Sequence, residues 1–155
     1  IVSSLVSDYK MIYQTAGFQE NHIIAIRPDG LCDVTDNHIA WRTNRGASYV
    51  PSPIIEGPYL IVVSDAGIGS CFEAASGKRL WMERFGGGHS ASMVSANGKV
   101  YVLSDKGVTT VIRPGPKFDV VTRNNLGEAC FASPAISGGR IYIRGEKHLY
   151  AIGAP

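Results

Sequence analysis

The densest group of potential metal ligands in the chain is the segment RPDGLCDVTDNH, residues 27–38, which carries Asp29, Asp33 and Asp36. Three carboxylates on one loop could hold calcium, a hard cation that takes oxygen ligands. The spacing lacks the alternating donors and the late Glu of an EF-hand loop. Pro28-Asp29-Gly30 is also an ordinary turn sequence, so the segment reads first as a turn and second as a calcium loop. His22, His38, His89 and His148 share no ligand spacing and read as surface or packing residues. Cys32, Cys71 and Cys130 are too few and too scattered for a disulfide framework, and no Cys-x-x-Cys pair supports zinc. No Gly-x-Ser-x-Gly elbow is present. GGGHS at 86–90 lacks the Lys-Ser/Thr and following helix of a phosphate loop, and reads as a connection between structural units. The residues thus yield no catalytic constellation.

The totals bound the remaining classes. The chain has 155 residues, 45% hydrophobic and 18% charged, which is the composition of one globular domain. Its formal net charge of +2 is too small and too dispersed to argue for nucleic acid. No apolar run approaches the length of a membrane-spanning helix. The start at Ile1 carries no leader pattern, so the compartment cannot be read from the residues themselves.

Elements that could position side chains emerge from an internal repeat. Trp41 and Trp81 are 40 residues apart, and Ser52, Ser92 and Ser133 are spaced by 40 and 41. Each Ser opens a similar phrase, SPIIEG, SMVSANG and SPAISGG. An apolar run follows each time, YLIVV, VYVL and IYI, and then a polar turn, SDAG, SDKG and RGEK. A less regular first copy begins near Ser4 and carries an insertion of about eight residues around 27–38. Within the second copy four short strands are expected near 52–56, 59–64, 68–74 and 79–84, all β-rich and bounded by Gly, Asp, Ser or Pro. No long window shows a helical period. Four strands per unit of about forty residues predict an all-β fold, a β-propeller of four-stranded antiparallel blades. The blades are expected at approximately 1–48, 49–88, 89–129 and 130–155, the last incomplete. About three and a half blades make a partial propeller.

In this frame EAASGKRLW, residues 73–81, turns from the third strand of a blade into the fourth. Gly77 accepts a left-handed turn conformation, and Trp81 lays its ring on the neighbouring blade. Trp41 should do the same one blade earlier. In the third copy the position falls near Val121, without an indole, which predicts a weaker seam.

The segment Ala74, Ser76, Gly77, Lys78 and Trp81, together with the Ser-Pro opening phrases, resembles the docking motif of the pyrroloquinoline-quinone-like (PQQ-like) repeat family of β-propellers. Over essentially the whole chain the pattern also resembles uncharacterised secreted propellers of planctomycete-type bacteria. More distantly it is similar to outer-membrane assembly lipoproteins of the BamB type. The resemblance implies a periplasmic or secreted protein. Such propellers commonly have seven or eight blades, so two copies could form a homodimer that closes an eight-bladed ring. Quinoprotein members hold their cofactor with calcium, a stacking Trp, a catalytic Asp and usually a Cys-Cys pair. Here no Cys-Cys pair exists and both Trp residues occupy docking positions, so PQQ is not expected.

A ligand would meet the loops after each second strand and those joining blades, which share one face. They contain Arg42, Asn44, Arg45, Tyr49, Asp65, Arg84, Phe85, His89, Asp105, Lys106, Glu128 and Arg144. Arg with aromatic side chains suits a protein or polymer partner. The expectation is therefore a non-catalytic binding or scaffold module. The alternatives are a fragment of a PQQ-like oxidoreductase or other enzyme whose catalytic residues lie outside this chain, and a purely structural repeat.

Overall fold

The computed structural model describes residues 3–16 and 21–153. Ile1 and Val2, part of the stretch expected to open the first strand, lie outside the described residues, as do 17–20 and 154–155. The described residues contain strands and no helix. The chain is a partial β-propeller of four antiparallel meanders.

The first sheet runs β1 (Val6–Ser7), β2 (Ile12–Ala16), β3 (His22–Ile26) and β4 (Ile39–Thr43) in spatial order. The second comprises β5 (Ile54–Glu56), β6 (Tyr59–Val63), β7 (Ile68–Glu73) and β8 (Arg79–Arg84). The third comprises β9 (Val94–Ala96), β10 (Lys99–Leu103), β11 (Val108–Arg113) and β12 (Asp119–Asn125). The fourth has three strands, β13 (Ala135–Ser137), β14 (Arg140–Arg144) and β15 (Leu149–Ile152). The first strands of successive sheets, β1, β5, β9 and β13, are neighbours in space, so the blades fan out from one axis.

The apolar runs follow from this stacking. Side chains alternate across a strand, and a sheet covered on both faces needs apolar residues at every position. In β6, Leu60 and Val62 face the first blade, packing with Tyr13, Ile23 and Ala25. Ile61 and Val63 face the third blade, packing with Met93, Val100, Val102 and Ile112. A smaller cluster of Ala91, Leu103, Cys130 and Ile143 joins the third blade to the fourth. The end blades have one neighbour each, and their second strands keep half-buried or exposed residues among the buried ones.

The third and fourth strands of each complete blade share one irregularity. The register slips between Ala25 and Ile26, between Cys71 and Phe72, and between Val111 and Ile112. The residue opposite the start of the slip is Trp41, Trp81 or Thr122. The indole-equivalent position of the third blade is therefore Thr122 rather than Val121. The repeat lengthens from 40 to 41 residues before this point, a change that spacing from Trp81 alone does not register. Thr122 is exposed, and no indole crosses the third seam.

Candidate functional site

The loop face is built from a repeated hydrogen-bonded unit. The Ser-Asp-x-Gly turn after the second strand closes on itself: the Gly67 amide donates to the Ser64 carbonyl at 2.8 Å, and the Ile68 amide donates to Ser64 Oγ at 3.1 Å. Gly107, Ser104 and Val108 repeat this at 2.9 and 3.1 Å. The following connection then straps onto the turn. The Phe85 and His89 amides donate to the carbonyls of Gly67 and Asp65, and the Leu126 and Cys130 amides donate to those of Gly107 and Asp105. The second and third blades are thereby locked to the loops that lead into the third and fourth.

The acidic residues of this face are part of the lock. Asp65 accepts the Tyr49 and Val50 amides at 2.9 and 3.1 Å. Asp105 accepts the Ser90 amide at 2.8 Å. Both carboxylates cap the connection from the preceding blade, as a side chain caps orphan amides at a turn. The fourth turn, Arg144-Gly145-Glu146-Lys147, has no Asp at this place, and the direction reverses. Glu128, in the connection, accepts the Lys147 amide at 3.0 Å and lies 3.3 Å from His148 Nδ1. Burial alone would raise the Glu128 pKa, but the Tyr150 hydroxyl, the Lys147 amide and His148 outweigh it and lower it.

With Asp65, Asp105 and Glu128 engaged as clamps, the exposed charge of the described loop face is mostly basic, Glu146 being an exposed acid among it. Arg45, Arg84, Lys106 and Arg144 are exposed. Arg42 sits near the end of β4, beside an open depression of about 820 Å³ lined by Asn21, Thr43 and Asn44. Tyr49 keeps part of its ring exposed. The face thus gathers Arg42, Asn44, Arg45, Tyr49, Arg84, Lys106 and Arg144 as display residues, whereas Asp65, Asp105 and Glu128 are clamps. His89 is not a rim residue: it is 3% exposed, with its ring edge-on to Phe85 at 6.3 Å. Burial pushes its pKa below the ordinary histidine value, offset in part by the Gly87 carbonyl and the Asp105 charge.

The repeated Ser residues line up along the inner edge of the blades. The Ser4 amide donates to Ser52 Oγ at 2.9 Å, Ser52 to Ser92 Oγ at 3.0 Å, and Ser92 to Ser133 Oγ at 2.9 Å. Their recurrence is a ladder that ties neighbouring blades near the axis. The indoles tie them further out. Trp41 Nε1 donates to the Ala74 carbonyl at 2.8 Å, and Trp81 Nε1 donates to the Gly115 carbonyl at 3.0 Å. Gly77 has φ +70°, and a Cβ there would lie 2.5 Å from Trp41 Cδ2, so the ring requires glycine beneath it. Trp81 meets Gly115 and Phe118 of the third blade, its ring 5.0 Å from that of Phe118.

The acid-rich segment 27–38 is the long turn between β3 and β4. It does not bring its carboxylates together. Asp29 faces His38 Nε2 at 3.5 Å, and Asp33 accepts the amide and hydroxyl of Thr35. Asp36 joins neither pair. No group of three or more His, Cys, Asp or Glu side chains among the described residues could hold a metal ion.

Comparison with known proteins agrees with the architecture. The family model described as outer membrane protein assembly factor BamB matches residues 30–122 and 68–154. No curated protein matches the chain. Among solved structures, BamB from Moraxella catarrhalis superposes with a TM-score of 0.71 over 96% of the chain, at 13% identity. A europium-containing methanol dehydrogenase superposes with a TM-score of 0.54 over 78% of the chain, at 14% identity. The chain spans 41% of the length of the first and 23% of the second.

Proposed function

Because the chain belongs to the PQQ-like repeat β-propeller family described as outer membrane protein assembly factor BamB, we propose that it is a non-catalytic, extracytoplasmic scaffold that docks a protein partner on its loop face. The observation that carries this reading is the division of labour on that face. The carboxylates of Asp65 and Asp105 are consumed as backbone caps, while the Arg and Lys side chains point outward on a locked framework. A rigid display of Arg and aromatic groups is what a protein-binding surface needs. The name of the matching family, an assembly factor, fits a role exercised through protein contacts.

The test is photo-crosslinking in cells, with a photoreactive residue replacing Arg45, Arg84, Lys106 or Arg144 in turn. Control positions lie in turns at the opposite end of the strands, at Lys78, Asn97 and Lys117. The expected result is discrete protein adducts from the loop-face set alone. Equal labelling from both ends, or none from the loop face, would reject the reading.

The same proposal extends to the cofactor. Quinone chemistry in this family needs a stacking Trp and a calcium site. Trp41 and Trp81 are engaged in the seams, which supports a chain that uses no quinone. Titration with pyrroloquinoline quinone and calcium should leave its absorption spectrum unchanged, and a saturable spectral shift would refute this part.

A further inference from the structure

The tight turns between the first and second strands of the second, third and fourth blades differ in one residue that carries chemistry. The turn residues are Gly57-Pro58, Asn97-Gly98 and Gly138-Gly139, and the first of each has positive φ, at +57°, +51° and +56°. Two-residue hairpin connections demand this conformation, and Asn followed by Gly is a favoured way to meet it. Only the third blade thereby places a side-chain amide here. Among the asparagines of the chain, Asn97 alone precedes a glycine.

An Asn-Gly step is set up to cyclise. The Gly amide nitrogen loses its proton to solvent base and attacks Asn Cγ. A new N–Cγ bond forms, ammonia leaves, and a five-membered succinimide results. Water then opens the ring. Cleavage of the new N–Cγ bond gives Asp; cleavage of the original peptide bond gives isoaspartate, with the main chain rerouted through the side chain. The net change is one water consumed and one ammonia released. Glycine favours the step because it has no Cβ to obstruct the approach.

The fold leaves this step open at Asn97. Both turn residues are exposed. The Asn97 side chain makes no hydrogen bond to a described residue, and the Gly98 amide donates to none. A Cβ on Gly98 would meet no atom within 4 Å. The chain's one Asp-Gly step, Asp29-Gly30, could close the same ring with loss of water, but it is enclosed. Asp29 faces His38 Nε2 at 3.5 Å, and a Cβ on Gly30 would lie 2.4 Å from Val34 Cγ1. Asn37 and Asn125 engage their Oδ1 atoms with His38 Nδ1 and the Gly127 amide. We propose that Asn97 is a site of spontaneous deamidation, which converts the innermost hairpin of the third blade to an Asp or isoaspartyl form. The strand β9 pairs with β10 at Val94–Tyr101, Ser95–Val100 and Ala96–Lys99, the last pair flanking the turn. Asp tolerates the left-handed backbone as Asn does and keeps this register. Isoaspartate adds a methylene to the main chain between Ala96 and Lys99, which the two-residue geometry does not accommodate.

The test is incubation of the purified chain in mildly alkaline buffer, folded and in urea, followed by proteolysis, peptide mass mapping and labelling with an isoaspartyl methyltransferase. In the folded chain the peptide carrying Asn97 should lose its amide before any other asparagine does. It should also take up the methyl label, and the peptide carrying Asp29 should not. Asn97→Gly copies the residue that the other two turns use, so it should keep the circular dichroism spectrum and abolish both signals. Conversion of Asn97 no faster than that of Asn44 or Asn124, equal label on the Asp29 peptide, or label that persists in Asn97→Gly would overturn the proposal. So would conversion confined to the urea-unfolded chain, which would mean that the turn protects the residue.

Discussion

Trp81→Ala should be the most damaging single change in the second seam. The side chain is 9% exposed and packs with Val100, Val102 and Ile112 of the next blade. A buried Trp covers on the order of 200 Å². At about 25 cal/mol per Å² this corresponds to about 5 kcal/mol as an upper bound. Truncations of large aromatics in cores cost about 3–5 kcal/mol. The Nε1–Gly115 hydrogen bond at 3.0 Å contributes about 1 kcal/mol more, though its carbonyl sits at a turn where water can replace the donor. The expected loss is therefore about 4 kcal/mol, a large part of the stability of an ordinary domain. Thr122→Ala, at the equivalent register position of the third blade, should cost at most about 0.5 kcal/mol because the side chain is exposed. Urea unfolding followed by circular dichroism measures both, and Trp41 fluorescence reports the first seam in the same samples. A loss below about 1.5 kcal/mol for Trp81→Ala, or an equal loss for Thr122→Ala, would refute the docking assignment.

Gly77→Ala should cost more than the roughly 1–2 kcal/mol of placing a side chain in the left-handed region, because its Cβ also meets the Trp41 ring; thermal unfolding of Gly77→Ala beside Gly98→Ala, where φ is +67° and the new Cβ meets nothing, separates the two effects. Asp105→Ala should lower stability by about 1 kcal/mol through loss of the Ser90 cap, seen as faster hydrogen exchange at the Ser90 amide. For pH, the folded His89 holds its proton less tightly than the unfolded chain, so unfolding takes up a proton and stability should decline as pH falls below about 6.5. Asp8 and Glu128 have lowered carboxyl values, so their contribution is present at neutral pH and lost below about pH 4; melting curves between pH 8 and 3 should show both declines, and His89→Asn should remove the first. Among the described residues β15 pairs with β14 alone and leaves Leu149 and Ile152 exposed; these 155 residues taken in isolation should therefore self-associate through that edge, which light scattering tests against a stable monomer at high concentration.

The blade architecture was legible because its causes are periodic. The Ser residues recur in all four copies, and the indoles and the Ser-Asp-x-Gly turns in two copies each, because each serves one contact per blade. The roles of individual loop residues were not legible. Asp65, Asp105 and Glu128 read as display residues, yet they cap backbone amides across the connection, a pairing set by three-dimensional register. His89 read both as a surface or packing residue and, from its place in the connection, as a loop-face candidate; its ring is buried against Phe85. The off-by-one position at Val121 has the same origin: a bulge and one extra residue shift which side chain faces the seam, and neither has a composition signal.

The claim that these repeats stack radially through indole seams is tested most directly by nuclear Overhauser contacts from the two indole rings. Cross-peaks should join the Trp41 ring protons to the Gly77 α-protons and the Trp81 ring protons to those of Phe118. Rings that show contacts only within their own strands, or that exchange freely with solvent, would contradict it.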